Sequence, residues 1–81
     1  MNNFILYKLD LHGTFHKDVR KKVDKFINKC ILEKALEVEV VTGHSERMKE
    51  LVNEVLDEYN LKGVTPIFNN GTLLINMLIK L

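Results

Sequence analysis

Apolar and polar residues alternate over residues 4–11, apolar ones recur every three or four positions over 15–34, and alternation returns over 36–41. Alternation places successive side chains on opposite faces of a strand, whereas the wider spacing lines one side of a helix. The first helix thus presents Phe15, Val19, Val23, Phe26, Ile27, Cys30 and Ile31 as its apolar stripe, with Thr14 placed to cap it. In the second strand Leu36, Val38 and Val40 share one face, and Glu37, Glu39 and Val41 the other. A second helical stripe, Met48, Leu51, Val52, Val55, Leu56 and Tyr59, follows Ser45, whose hydroxyl suits an N-cap. Gly63 is the expected left-handed stop beyond it. Residues 64–68 read as a short strand, and Pro66, which has no N–H to give a ladder, argues for the edge of a sheet. Asn69-Asn70-Gly71 reads as a hairpin turn and residues 72–81 as the last strand.

The predicted order is β-α-β-α-β-β. Crossovers between parallel strands are right-handed, so strands added in one direction leave both helices on one side of the sheet. The fold class is therefore α/β in the α+β two-layer form, a four-stranded mixed sheet with two helices on one face. Leu9, Leu11, Val38, Val40, Leu73, Ile75, Met77 and Ile79 are expected to meet the helices. Phe4, Leu6, Val41, Leu74 and Leu78 fall out of phase, on the open face, where a second copy of the chain could cover them as a homodimer. Eighty-one residues hold one core. With no linker, repeat or low-complexity stretch, residues 1–81 read as a single domain.

Chemistry concentrates in Leu9-Asp10-Leu11-His12-Gly13, which closes the first strand. Asp10 and His12 share its polar face, one pleat and roughly 7 Å apart along the strand. A phosphate, a water or a cation fits between a carboxylate and an imidazole so placed. The plainer alternative is that Asp10 only bonds amides of the turn that Gly13 opens.

This pentad resembles the first signature of the Smr (small MutS-related) domain family, L-D-x-H-G, residue for residue. The family's second signature, H-G-x-G, has Thr42-Gly43-His44-Ser45 at its place, with Gly43 matching and Thr42 standing for the histidine. Its helical continuation, L-[R/K]-x-x-V, is met by Met48-Lys49-Glu50-Leu51-Val52 if the loop is one residue shorter. The resemblance runs from residue 4 to about residue 79. It implies the same two-layer fold, similar to the C-terminal domain of translation initiation factor three. It also implies nucleic acid (RNA or DNA) as partner and endonuclease activity, with Asp10 and His12 carrying cleavage. Physically, Asp10 could orient or deprotonate a nucleophile and His12 protonate a leaving group. One carboxylate and one imidazole are too few ligands to fix a tight cation site, so a divalent cation such as magnesium stays an open requirement.

Parallel first and second strands bring Gly13 and Gly43 to the same end of the sheet, where ligands of open α/β sheets bind. The amides starting the second helix could receive a phosphate there, or Ser45 could satisfy them itself. Arg47 is placed as a phosphate clamp, and His44 as a spatial substitute for the histidine absent at Thr42. A net charge of +1 argues against tight polyanion binding by bulk charge alone. Its distribution is uneven, however. Lys17, Lys21, Lys25 and Lys29 make a basic stripe on the first helix, whereas the second helix is acidic. A solvated face would look the same. The degenerate second signature keeps a binding-only or partner-docking module as the alternative to a nuclease. No aromatic platform of the RRM kind is evident. Cys30 is alone and on an apolar stripe, no apolar run is long enough to cross a bilayer, and no signal peptide is recognisable. A cytoplasmic protein without membrane contact is expected.

Overall fold

The computed structural model describes residues 7–78. Its elements are β1 (Tyr7–Asp10), α1 (His16–Leu32), β2 (Glu37–Val41), α2 (Glu46–Asp57), β3 (Gly63–Val64) and β4 (Thr72–Asn76). They form a four-stranded mixed sheet in the order β1-β2-β4-β3, an α+β fold. β1 and β2 are parallel, and β4 is antiparallel to both of its neighbours. Leu9 lies beside Val40, Val40 beside Leu73, and Val38 beside Ile75, so one face of the sheet is continuously aliphatic. With Leu11 and Met77 that face is sealed by Val19, Val23, Ile27 and Cys30 of α1 and by Met48, Val52, Val55 and Leu56 of α2. Each such aliphatic side chain, fully buried, contributes about 1.5–3 kcal/mol. Burial also pushes the Cys30 thiol above its ordinary pKa. Phe4, Leu6 and Ile79 lie outside the described residues.

The opposite face is mixed. Lys8 approaches Glu39 at 3.9 Å, and Thr72 Oγ1 donates to Glu39 Oε2 at 2.6 Å. Val41 and Leu74 are half-buried there and Leu78 is exposed. No helix of the described residues is long and apolar enough to cross a membrane.

Several local expectations are corrected. Thr14 does not cap α1; Phe15 is the N-cap residue, extended at φ −67° and ψ 142°, without a side-chain cap. Thr14 N instead donates to the Leu11 carbonyl, which spends that residue on the preceding turn. Phe15 therefore precedes the helical repeat and is exposed, as is Ile31 in the last turn. Leu36 lies outside β2 and is exposed, its carbonyl accepting from Met77 N. Ser45 does cap α2, accepting from Met48 N at 3.0 Å, a contact of about 1 kcal/mol.

The left-handed stop after α2 is Asn60, at φ 59°, with Leu61 N donating to the Leu56 carbonyl. Gly63 serves another purpose. It sits in β3, donates its N–H to Asn53 Oδ1 at 2.9 Å, and would bring an added Cβ within 3.1 Å of Leu73. β3 stops at Val64 rather than running to Phe68, because Pro66 has no N–H for the β4 ladder. Residues 65–71 are a loop, tightened where Asn69 N meets the Pro66 carbonyl at 3.3 Å. Asn69-Asn70-Gly71 ends that loop, which does join antiparallel β3 and β4 as a hairpin connection, but a longer one than a turn at those three residues alone. β3 does occupy a sheet edge.

Candidate nucleic-acid site

Parallel pairing of β1 and β2 delivers two loops to one end of the sheet, residues 11–15 and 42–45. Leu11 N donates to the Val41 carbonyl at 2.8 Å, so the pairing persists to the residue before His12. There the chain turns. Asp10 Oδ1 accepts from His12 N at 2.8 Å, closing a small side-chain turn, and Gly13 follows at φ +81°. The plainer role anticipated for Asp10, bonding a turn amide, is thus fulfilled by one of its two oxygens. Both Asp10 and His12 are exposed.

The second loop lies directly against the first. Gly43 has φ +69°, and a Cβ built on it would sit 3.8 Å from Cδ2 of the His12 ring. The imidazole therefore lies beside the turn made by the second signature's surviving glycine, within van der Waals reach of any side chain placed there. A third loop completes the rim, since the Gly71 carbonyl accepts from both Thr42 N and Gly43 N at 3.0 Å. Three connections, following β1, β2 and β3, meet around Gly43.

Thr42 is buried, and its Oγ1 donates to the Gly43 carbonyl at 2.8 Å. That side chain braces the turn from inside and does not join Asp10 and His12. His44 and Ser45 are exposed beyond it, with the Ser45 hydroxyl engaged by Met48 N. Arg47 lies on α2, its guanidinium 3.1 Å from Glu50 and 3.8 Å from Glu54. Lys17, Lys21 and Lys25 are exposed along α1 and make no ion pair among the described residues. Lys25 also borders a groove of about 280 Å³ with Leu9, Lys22, Phe26 and Lys29, beside edge strand β1. Across the molecule, Glu46, Glu50, Glu54 and Asp57 line an open groove of about 460 Å³ beside α2, which turns a polyanion away. Arg20 bridges the two helices by a two-pronged bond to Glu58, at 2.7 and 3.0 Å, which raises its own pKa and lowers that of Glu58. No three His, Cys, Asp or Glu of the described residues converge as a ready ligand set for a metal.

Lys49 is the residue that sequence reasoning missed. It lies in α2 yet is buried, and its ammonium donates to Asn70 Oδ1 at 3.0 Å with Glu46 Oε2 at 3.5 Å. A charge so enclosed is tolerated because both partners receive it. It ties the 65–71 loop to α2. The only signal was its place in the second signature's helical continuation, next to buried Met48.

No curated protein and no solved structure matches the chain significantly. The Smr domain model matches residues 9–66, a span that opens on Leu9 of the intact pentad and takes in the 42–45 loop and Lys49. Domains of this kind bind nucleic acids and are nuclease-like in general. Through that match, which covers most of its length, the chain belongs to the Smr domain family.

Proposed function

We propose that this domain holds a nucleic-acid backbone where the β1 and β2 loops meet and cleaves or nicks a phosphodiester there, with Asp10 and His12 as the reacting pair. The observation that carries this reading is the position of the His12 ring beside Gly43, 3.8 Å from where a Cβ would stand, which brings the intact signature next to the altered one. With Oδ1 committed to His12 N, the second oxygen of Asp10 takes the proton of an attacking water or hydroxyl, or binds a divalent cation that lowers that pKa. Protonated His12 gives its proton to the departing oxygen, so one P–O bond forms as the other breaks. Lys17, Lys21 and Lys25 lead the flanking backbone along α1, and Gly13 and Gly43 leave room for a phosphate to approach the main chain.

A second reading, binding without cleavage, is favoured by one specific feature. Ser45 already occupies an amide at the α2 N-terminus and Thr42 is turned inward, so the second loop offers a phosphate less than an intact signature would. End-labelled RNA and DNA incubated with and without magnesium separate the two. Cleavage by wild type that is lost in His12→Ala and in Asp10→Asn supports the nuclease. Asn keeps the acceptor for His12 N, so its loss isolates the carboxylate's chemistry. Retained binding with no cleavage under any condition supports the second reading, and equal cleavage by all three proteins contradicts the assignment of the pair.

A further inference from the structure

Two of the three phenylalanines among the described residues are largely exposed to solvent, and both stand on loops that rim the proposed site. Phe15 is 71% exposed at the end of the 11–15 loop, three residues after His12. Phe68 is 90% exposed in the 65–71 loop, beside Ile67, which is wholly exposed. Isolated exposed apolar residues are ordinary, but a pair of large ones held outward by a braced loop is not.

The 65–71 loop is well braced. Asn69 Oδ1 accepts from Gly71 N at 3.0 Å, Asn70 is gripped by the buried Lys49 ammonium, and the Gly71 carbonyl is fixed by two amides of the Gly43 turn. Two anchors to other elements and one bond within the loop hold a segment whose apolar side chains Ile67 and Phe68 find no cover in the fold. Such ordering has an entropic cost that burial of Ile67 and Phe68 does not offset within this chain.

We infer that Phe15 and Phe68 are stacking surfaces for unpaired bases on either side of the backbone held at Asp10 and His12, so that the preferred ligand is single-stranded or locally unpaired nucleic acid. The inference rests on the function proposed above. The loops bearing the two rings both adjoin Gly43: the Gly71 carbonyl accepts from its N–H, and the His12 ring lies 3.8 Å from where its Cβ would stand. A strand threaded across that end of the sheet brings neighbouring bases to both rims. Bases inside a duplex present no face to a phenyl ring, whereas unpaired bases do, and stacking of this kind is indifferent to sequence.

The chain has no tryptophan, so Phe68→Trp creates a sole indole reporter at this position. Binding is followed in parallel by anisotropy of a labelled single-stranded oligonucleotide and of the matching duplex. The expected result is quenching of the indole emission by the single strand, with affinity kept in the Phe68→Trp variant. Phe68→Ala should weaken single-strand binding by roughly 5- to 140-fold, the range for loss of one stacked base, and leave duplex binding unchanged. Phe15→Ala should act in the same direction. If the oligonucleotide binds but the indole emission does not move and Phe68→Ala binds like wild type, the stacking inference is overturned while the proposed function stands. If the emission shifts with protein concentration alone, a second copy covers the ring and the inference is equally overturned. If neither nucleic acid binds any variant, the proposed function itself fails.

Discussion

The loops that follow β1 and β2 begin alike and end differently. Each leaves a parallel strand, turns at a glycine with positive φ, and leads into a helix. In the first, Asp10 and His12 remain outside, linked only through a backbone amide, so both side chains face solvent with chemistry to offer. In the second, the polar groups are consumed internally: Thr42 Oγ1 by the Gly43 carbonyl, Ser45 Oγ by Met48 N, and the Thr42 and Gly43 amides by Gly71. One loop displays an exposed carboxylate and imidazole, and the other, lying beside it, spends its Thr42 and Ser45 hydroxyls on its own backbone. A degenerate signature can thus keep a structural duty after losing its chemical residue.

That contrast is most severely tested by paired histidine variants. His12→Ala should reduce cleavage by about 10²- to 10⁴-fold, the usual loss for a general acid, while His44→Ala should cost far less. Rates measured on one labelled substrate check this, and equal losses would erase the distinction between the loops. Next in size is Gly43→Val. A β-branched residue forced to φ +69° costs about 1–3 kcal/mol, and its side chain would stand against the His12 ring, 3.8 Å away at the Cβ. Denaturant unfolding should show the destabilisation, and binding should fall further than unfolding explains.

Thr42→His restores the family's residue by name but not by place. The threonine is buried, so a larger imidazole should lower stability by about 1–3 kcal/mol with no gain in cleavage. A gain would mean that the second loop can still open towards His12. Exchanging Lys21 and Lys25 for glutamine should flatten the dependence of log affinity on log salt by about 1.4–1.8, the expectation for two lost phosphate contacts. An unchanged slope would return those lysines to an ordinary solvated face.

The smallest effect concerns the helices behind the loops. The Arg20 hydrogen bonds hold the Glu58 carboxyl below its ordinary pKa. A carboxyl lowered in the fold stabilises above its unfolded pKa, and this contribution fades as pH falls through the folded value. Glu58→Gln should therefore be slightly less stable than wild type at neutral pH and low salt, with the gap closing in acid and in high salt. Melting curves at several pH values test the sign.

Elements with a strong period were legible in the chain alone. The faces of β1, β2 and β4, the buried stripes of both helices, and the meeting of the two glycine loops all follow from spacing and crossover handedness. The failures lie where the period ends. Phe15, Ile31 and Leu36 are apolar and in phase, but they sit at element termini where the neighbouring layer no longer reaches. Asn60 takes the left-handed corner anticipated for Gly63, because asparagine tolerates that conformation and the glycine is needed to pass Leu73. Lys49 was illegible for another reason. Its burial depends on Asn70, twenty-one residues later, and no local rule links a helical lysine to a distant loop amide.

In the proposed function the β1 and β2 loops form one nucleic-acid site centred on His12. It is tested most directly by titrating ¹⁵N-labelled protein with a short single-stranded oligonucleotide and following each amide. His12, Gly13, Gly43 and Gly71 are expected to shift together along one binding curve, with Asn76 and the acidic residues of α2 unmoved. Shifts confined to the open sheet face around Leu74 and Asn76, or to α2, with the glycine loops silent, would contradict it.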